Sequence, residues 1–386
     1  MEVAAAGRRA GWGVFAVFVA TGLSFASLFS RVPAIRDELG VSPSELGVVL
    51  LAVSAGAVLA LLLSTRIVMR VGPRRTVAVT AVLVVAGLAG AALGLDAGRG
   101  AVMAGLFVSG LGLGNWDVAL NVEGVAVERR LGRSLMPRFH AGFSIGTVLG
   151  AALGAALVAA SVSVTAHLLL VAALVALIVP PSVRAFLPAP QRDAAPAGKS
   201  GRAWRERRTL LLGAVAFTAG LAEGTGNDWL ALAFTDDYGT SQATGSAGLA
   251  VFVTAMTAGR LAGPALIDRW GRVAAVRATC VLGIAGVLAT VLGPSLAVGL
   301  AGVAAWGVGV ALGIPVAMSA AGDEPGAAVA RVGVVAVCGY AAFLSAPPLV
   351  GFVADRVGVL DALSPAVVLL AAGALLAGAC RPVRGG

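Results

Sequence analysis

Charge is scarce in this chain. A soluble domain carries about 25% Asp, Glu, Lys and Arg, whereas only 12% of these 386 residues are charged. The shortage excludes an ordinary soluble enzyme, a disordered chain and a coiled coil. Histidine, with 2 residues, and cysteine, with 3, are scarcer still. Cys280, Cys338 and Cys380 lie far apart and form no C-x-x-C or Cys/His cluster. Such spacing supports neither a disulfide framework nor a zinc site, and the three read as small apolar residues packed among helices. No metal or cofactor is expected. H-E-x-x-H and G-x-S-x-G are both absent, and no nucleophile set can be assembled, so no enzymatic activity is expected.

What the chain does have is apolar length. Hydrophobic residues make up 59% of it, and its mean hydropathy is +0.95. A membrane-crossing helix needs about 20 predominantly apolar residues. Twelve such runs follow one another, near 11–30, 44–64, 76–95, 101–127, 139–162, 164–183, 209–234, 245–266, 273–293, 295–320, 330–353 and 361–380. They are continuous rather than alternating, which favours helices over a β-barrel. The expected fold class is an all-α membrane protein with twelve transmembrane helices. Met1–Ser30 has the basic start and apolar middle of a signal peptide. Because apolar segments continue after it, it reads as an uncleaved first span.

A net charge of +9 and a pI near 11 first suggest a nucleic-acid surface. The positions of the charges remove that reading. With the N-terminus in the cytoplasm, 24 of the 28 basic residues fall inside, clustered in 66–75, 129–138, 184–208 and 260–277, and only Arg31, Arg36, Arg99 and Arg356 fall outside. This is the asymmetry of the positive-inside rule. The expected partner is therefore the lipid bilayer and not nucleic acid. The expected location is the bacterial cytoplasmic membrane, with both termini in the cytoplasm.

Residues 185–207 contain Pro188, Pro190, Pro196, Gly198 and Gly201 and read as a cytoplasmic linker between two six-helix halves, 1–184 and 208–386. Gly198-Lys199-Ser200 looks like the end of a phosphate loop, but Asp193 stands where the first glycine is needed. The halves repeat at an offset of 199 residues. Met69-Arg70-Val71-Gly72-Pro73-Arg74 matches Asp268-Arg269-Trp270-Gly271-Arg272, and Ser42 matches Ser241. Ser42-Pro43-Ser44-Glu45 has the pattern of a capping box with proline in the first turn. A duplicated six-helix unit is a usual build of secondary transporters, with the site between repeats near the bilayer midplane.

Gly263-Pro264-Ala265-Leu266-Ile267-Asp268-Arg269-Trp270-Gly271-Arg272 resembles the loop signature of the major facilitator superfamily. A related stretch, Asp355-Arg356-Val357-Gly358, follows the eleventh run, and in the first half Met69 replaces the aspartate. Together with the repeat, this resemblance covers nearly the whole chain. It implies alternating access, and a latch role for Asp268, Arg269, Gly271, Arg272, Arg70 and Arg74. Asp117-Val118-Ala119-Leu120-Asn121, Gly132-Arg133-Ser134-Leu135-Met136-Pro137 and Phe143-Ser144-Ile145-Gly146 resemble a bacterial branch near the fucose permease-like sugar symporters. There the acid and the asparagine of the fourth helix belong to the transport site. Glu223-Gly224, Asp228-Trp229 and Gly339-Tyr340 resemble permeases of the same branch. Phe29 stands where fucose-type symporters carry an aspartate, which weighs against a fucose-like substrate. Relative to multidrug antiporters, the fourth helix lacks an arginine and the fifth lacks the glycine-proline pair.

The resemblance and the chemistry select the same few polar residues. A carboxylate at mid-helix costs about 2.5–3.5 kcal/mol to insert, so such groups mark function. Asp117, Asn121, Gly124 and Glu128 fall on one helical stripe, expected to face a cavity, whereas Glu123 points elsewhere and is expected to reach water at the inner rim. Glu223 lies mid-span, with Asn227, Asp228 and Trp229 nearer the outer end. Burial favours the neutral form of a carboxyl, so Asp117 or Glu223 is suited to carry a coupling proton. Each proton moved is worth about 2.3 kcal/mol per 100 mV. Asn227, Asp228, Trp229 and Tyr340 are candidate solute contacts. Asp268 is expected to meet a helix N-terminus, and the loop arginines to pair with acids across the halves. His140 reads as a packing residue and His167 as an inert residue of an outer loop. Gly142, Gly146, Gly150 and Gly154 form a small-xxx-small face for close helix packing.

The expected function is secondary active transport of a small solute, sugar-like or another small polar metabolite, coupled to protons by a monomer. The alternatives are an exporter of a drug or secondary metabolite, and a membrane sensor on a transporter scaffold. The charge map makes one prediction. Alkaline phosphatase, active only outside the cytoplasm, should be inactive when inserted in residues 185–207 and active when inserted at Arg99. The reverse pattern contradicts the orientation.

Overall fold

The computed structural model describes residues 2–132, 135–187, 200–323 and 328–382. Among them the chain is helical throughout. The first six crossings come from α1 (Glu2–Phe29), α3 (Pro43–Val71), α4 (Pro73–Leu93), α5 (Arg99–Leu131), α6 (Met136–Ala159) and α7 (Val164–Arg184). Between α1 and α3 sits a short amphipathic α2 (Val32–Leu39), which hydropathy alone does not reveal. Then follow α8 (Arg207–Asp236), α9 (Gln242–Leu292), α10 (Leu296–Val310), α11 (Gly313–Ala321), α12 (Ala328–Val357) and α13 (Pro365–Leu376). Eleven helices among the described residues are long and apolar enough to cross a membrane. One of them, α9, runs for 51 residues and bends at Gly271, so it supplies two crossings and the number becomes twelve. Most of the linker, residues 188–199, lies outside the described residues, as does the phosphate-loop lookalike up to Lys199. So do Arg133 and Ser134.

Local chemistry sets the helix ends. Glu45 N–H donates to Ser42 Oγ while Glu45 Oε2 accepts from Ser42 N–H at 3.1 Å, which completes the capping box ahead of Pro43. At the repeat-related position, Thr244 N–H donates to Ser241 Oγ at 3.2 Å. The two halves also share a backbone signature. Gly72 has φ 82° and ψ 158°, and Gly271, 199 residues later, has φ 77° and ψ 161°. An L-residue with a side chain rarely adopts that conformation, which explains glycine at both loops.

The chain forms two compact units: Met1–Arg192 with Ser241–Ala247, and Asp193–Thr240 with Gly248–Gly386. The first is centred on Val14, Phe18, Trp116, Leu120, Phe139 and Val175, and Trp116 Nε1 donates to the Val77 carbonyl at 3.2 Å. In it α1 and α6 run close together along the small-residue face. A Cβ on Gly146 would collide with the Val19 carbonyl, and one on Gly150 would come within 2.5 Å of the Leu23 carbonyl. Gly142 meets Phe15 and Gly154 meets Ser30. The second unit is built around α8, whose residues 221–234 are all buried. Against α8 pack Ala342 and Ala346 of α12, and Phe252 of α9, itself edge-on to Trp306 at 5.5 Å. All three cysteines are free.

The close α1–α6 crossing predicts that Gly146→Leu lowers the thermal midpoint by many degrees or abolishes monodisperse protein, because backbone must move to admit the side chain. Gly100→Ala, where a Cβ meets nothing within 4 Å, should change stability by less than about 0.5 kcal/mol. Intrinsic-fluorescence melting checks both, and a wild-type midpoint for Gly146→Leu contradicts the packing.

Candidate functional site

The polar residues of α8 gather at its middle. Glu223 is the seventeenth of its thirty residues, and Asn227, Asp228 and Trp229 follow within two turns. Glu223 is 6% exposed, Asn227 4%, Asp228 5% and Trp229 not at all. Glu223 is held by Arg260 of α9, whose Nη2 donates to both carboxylate oxygens at 2.8 and 2.9 Å. Arg260 stands eleven residues before the bend at Gly271, so it lies well inside the span. This corrects its assignment to the inner charge cluster: it is the ion-pair partner of a mid-span acid. An arginine near the end of an apolar run reads as flanking charge in any hydropathy count. The available signal was the unbroken run from Leu261 to Ile267 separating it from the loop.

Asn227 and Asp228 make no hydrogen bond or ion pair among the described residues, and the buried Trp229 Nε1 has no partner. Buried polar groups are normally satisfied, and Trp229 Nε1 shares its unpartnered state with Arg260 Nε nearby in the same unit. Tyr340, on α12, is half-buried.

The stripe on α5 differs from its expected arrangement. Asp117 and Asn121 are half-buried, and Asn121 turns back on its own helix, donating to the Asp117 carbonyl at 2.6 Å. Glu128 does not face a cavity. Its Oε1 accepts from Leu135 and Met136 N–H at 2.5 and 2.8 Å, capping the start of α6, and Gly124 packs on Met136 and Phe139. Glu123 does not reach water either. It is 1% exposed and accepts from Leu187 N–H at 2.6 Å, where the chain leaves α7.

The His140 ring packs 5.2 Å from that of Phe18. His167 is not a loop residue. It sits in the first turn of α7, fully buried, and its Nδ1 accepts from Arg31 Nε at 2.7 Å. Arg31 is likewise no exposed outer charge, being only 3% exposed. Burial lowers its proton affinity, partly offset by the charge of Glu38.

The loop signature also pairs locally. Asp268 and Arg269 are exposed, as are Arg70 and Arg74 in the first half, and Asp268 meets no helix N-terminus among the described residues. Arg272 Nη1 donates to both oxygens of Asp323 at 2.7 and 3.0 Å, and its Nη2 donates to Ser319 Oγ at 3.0 Å. Arg208 joins them, reaching Asp323 at 3.0 Å and the Arg381 carbonyl at 2.9 Å. These partners lie in the same unit, so the acid for Arg272 comes from its own half and not from across the halves. Burial alone would raise the Asp323 carboxyl. Hydrogen bonds from Arg272 and Arg208, together with their charges, outweigh it and hold the carboxyl below its ordinary value.

No metal cluster of three His, Cys, Asp or Glu residues occurs among the described residues. A groove of about 460 Å³ along α9 and α10 is lined only by Ala, Gly and Val, without a polar group to orient a solute.

The family model of the Major Facilitator Superfamily matches residues 14–347. The chain belongs to the Major Facilitator Superfamily. It is a multi-pass membrane transporter of that type. It is 32% identical over 344 residues to an uncharacterized transporter, y4wD, of Sinorhizobium fredii, covering 89% of this chain and 90% of the relative. It is 27% identical over 364 residues to the membrane protein MosC of Rhizobium meliloti, covering 93% of this chain and 86% of MosC. Among solved structures, the nucleoside transporter NupG superposes with a TM-score of 0.77 at 14% identity, over 97% of this chain and 98% of NupG. The fucose:proton symporter FucP of E. coli superposes with a TM-score of 0.66 at 16% identity, again over 97% and 98%. At such identities the likeness concerns the superfamily fold.

The Asp323 cluster predicts a pH signature. A carboxyl lowered by its partners adds stability that is fully present above its ordinary value of 3.8 and is lost as pH falls through the lower folded value. Asp323→Asn should therefore be less stable at pH 7, by about 1–3 kcal/mol, and should lose less than the wild type on acidification below that ordinary value. Melting curves between neutral and acid pH test this. Parallel curves contradict it.

Proposed function

We propose that the chain is a secondary active transporter that moves a small polar solute by alternating access and is driven by the proton gradient. The observation that carries this reading is the middle of α8, where buried Glu223, Asn227, Asp228 and Trp229 stand in a span that hydrophobicity alone would leave apolar. Polar groups at that depth are costly and are kept where they act on a solute or a proton. Asn227, Asp228 and Trp229 suit a solute with hydroxyls and a ring: the carboxyl and amide take hydroxyls, and an indole offers a face and an N–H. Glu223 suits the proton, because its negative charge is balanced by one removable partner, Arg260. Asp117 suits it less, being half-buried and engaged. Nucleosides and sugars, the classes named for NupG and FucP, are natural first solutes to try.

In this reading the Arg272–Asp323–Arg208 cluster and the bend at Gly271 hold the second unit in one arrangement, and breaking the cluster alters the rate of interconversion. The protein acts in the bacterial cytoplasmic membrane as a monomer.

A thermal-shift screen of the purified protein against neutral sugars, nucleosides, sugar acids and amphiphilic drugs selects the solute. In proteoliposomes, a pH gradient alkaline inside should then accumulate it, and a protonophore should abolish accumulation. Uptake indifferent to both pH gradient and membrane potential contradicts the coupling. Asp228→Asn and Trp229→Ala should each weaken binding about tenfold, the worth of one lost hydrogen bond. Unchanged affinity in both removes them from the site.

A further inference from the structure

Arg260 has more hydrogen-bonding capacity than Glu223 uses. A guanidinium carries five N–H donors in a rigid fork, and carboxylates usually take two of its nitrogens in parallel. Here both Glu223 oxygens converge on Nη2 alone. Nε is buried and bonded to nothing, and Nη1 makes no hydrogen bond among the described residues. Nη2 belongs to both forks of the guanidinium, so each fork is left half-filled. Asn227 lies one turn along α8 from Glu223, four residues on and therefore on the same helical face. Asn227 as a whole is 4% exposed, and its side chain makes no hydrogen bond among the described residues.

Charge counting shows what such a site selects. The Glu223–Arg260 pair is neutral. An anion added beside Arg260 leaves one uncompensated negative charge in a low-dielectric span, which is strongly unfavourable. A proton on Glu223 removes that charge. A neutral solute creates no such demand and leaves the pair closed.

We propose that Arg260 and Asn227 form a receptor for a carboxylate group on the solute, and that Glu223 occupies the place of that carboxylate in the empty protein. This deepens the transporter reading above and rests on it. The exchange balances. The solute carboxylate takes the Nη2, Nη1 and Nε donors of Arg260, the displaced Glu223 carboxylate takes up one proton given by the buffered bulk solution, whose buffer acid becomes its conjugate base, and the site stays neutral. The substrate class is a small monocarboxylate, carried with one proton and without net charge movement.

The test uses the purified full chain and acetate as probe. Glu223→Gln leaves Arg260 uncompensated, so its thermal midpoint should fall by several degrees. Acetate should restore it saturably, whereas chloride at equal ionic strength should not. Acetate should leave the midpoint of Glu223→Gln/Arg260→Gln unchanged. As a route that does not depend on the folding of Glu223→Gln, wild-type protein is also measured with acids and amides of the same skeleton, lactate against lactamide and gluconate against gluconamide. An acid should shift the melting midpoint more than its amide. Calorimetry in buffers of different ionisation enthalpy should count one proton taken up per acid bound. The inference is overturned if acetate restores Glu223→Gln no better than chloride, if amides match their acids, or if no acid shifts the wild type. Gradient-driven accumulation of a neutral solute would overturn the carboxylate receptor and keep the transporter reading. Failure of every solute to respond to a gradient would overturn that reading itself.

Discussion

An ion taken from water into an apolar interior loses several kcal/mol of solvation, and that cost arranges nearly every charged side chain inside this protein. Glu223 is matched to Arg260, Arg31 to the lone pair of His167, and Asp323 to two arginines. Glu128 and Glu123 are matched to backbone N–H groups at the start of α6 and beyond the end of α7. Each match also ties two or more elements together, so a rule about solvation becomes a rule about packing. Asn227 and Asp228 depart from it, with no bond among the described residues. In the proposed transporter these two side chains are the ones left to meet a solute.

The helices that carry these groups depend on small residues for their spacing. Gly146 and Gly150 let α1 and α6 approach at backbone distance, and Gly226 makes room for the Phe252 ring against α8. The positive-φ glycines Gly72 and Gly271 set equivalent bends in the two halves. The second-half loop kept an arginine that reaches an acid, Arg272 to Asp323, whereas the first-half loop has Met69 in place of its acid. The duplicated frame is thus retained in the backbone while its charge chemistry has diverged.

Features governed by one segment's own composition were legible in the sequence. The twelve apolar runs became twelve crossings, and Ser42 and Glu45 closed the capping box that their spacing announces. Glu223 and Asp228 stood out because an acid inside an apolar run is rare. Pairings between distant segments were not legible. Arg260 lies 37 residues from Glu223 and Arg31 lies 136 from His167, and nothing in either local pattern names the other. His167 misled because the hydrophobic run beginning at Val164 starts only three residues before it, so its place at a helix start looked like a loop. The helical-wheel argument grouped Glu128 with Asp117 correctly by angle, but it could not show that α6 begins against that face and supplies the backbone donors Glu128 accepts.

The central claim is that the buried pair at the middle of α8 is retained for transport and not for stability. Replacing both partners by apolar residues of similar size separates the two. Removing one member of a buried pair costs about 3–5 kcal/mol, whereas replacing both by well-packed apolar residues is often neutral or stabilising. The measurement is therefore melting and gradient-driven uptake of Glu223→Leu/Arg260→Met in the same preparation. The account predicts a thermal midpoint at or above that of the wild type, together with loss of proton-driven accumulation. A double variant that accumulates solute as the wild type does would contradict it.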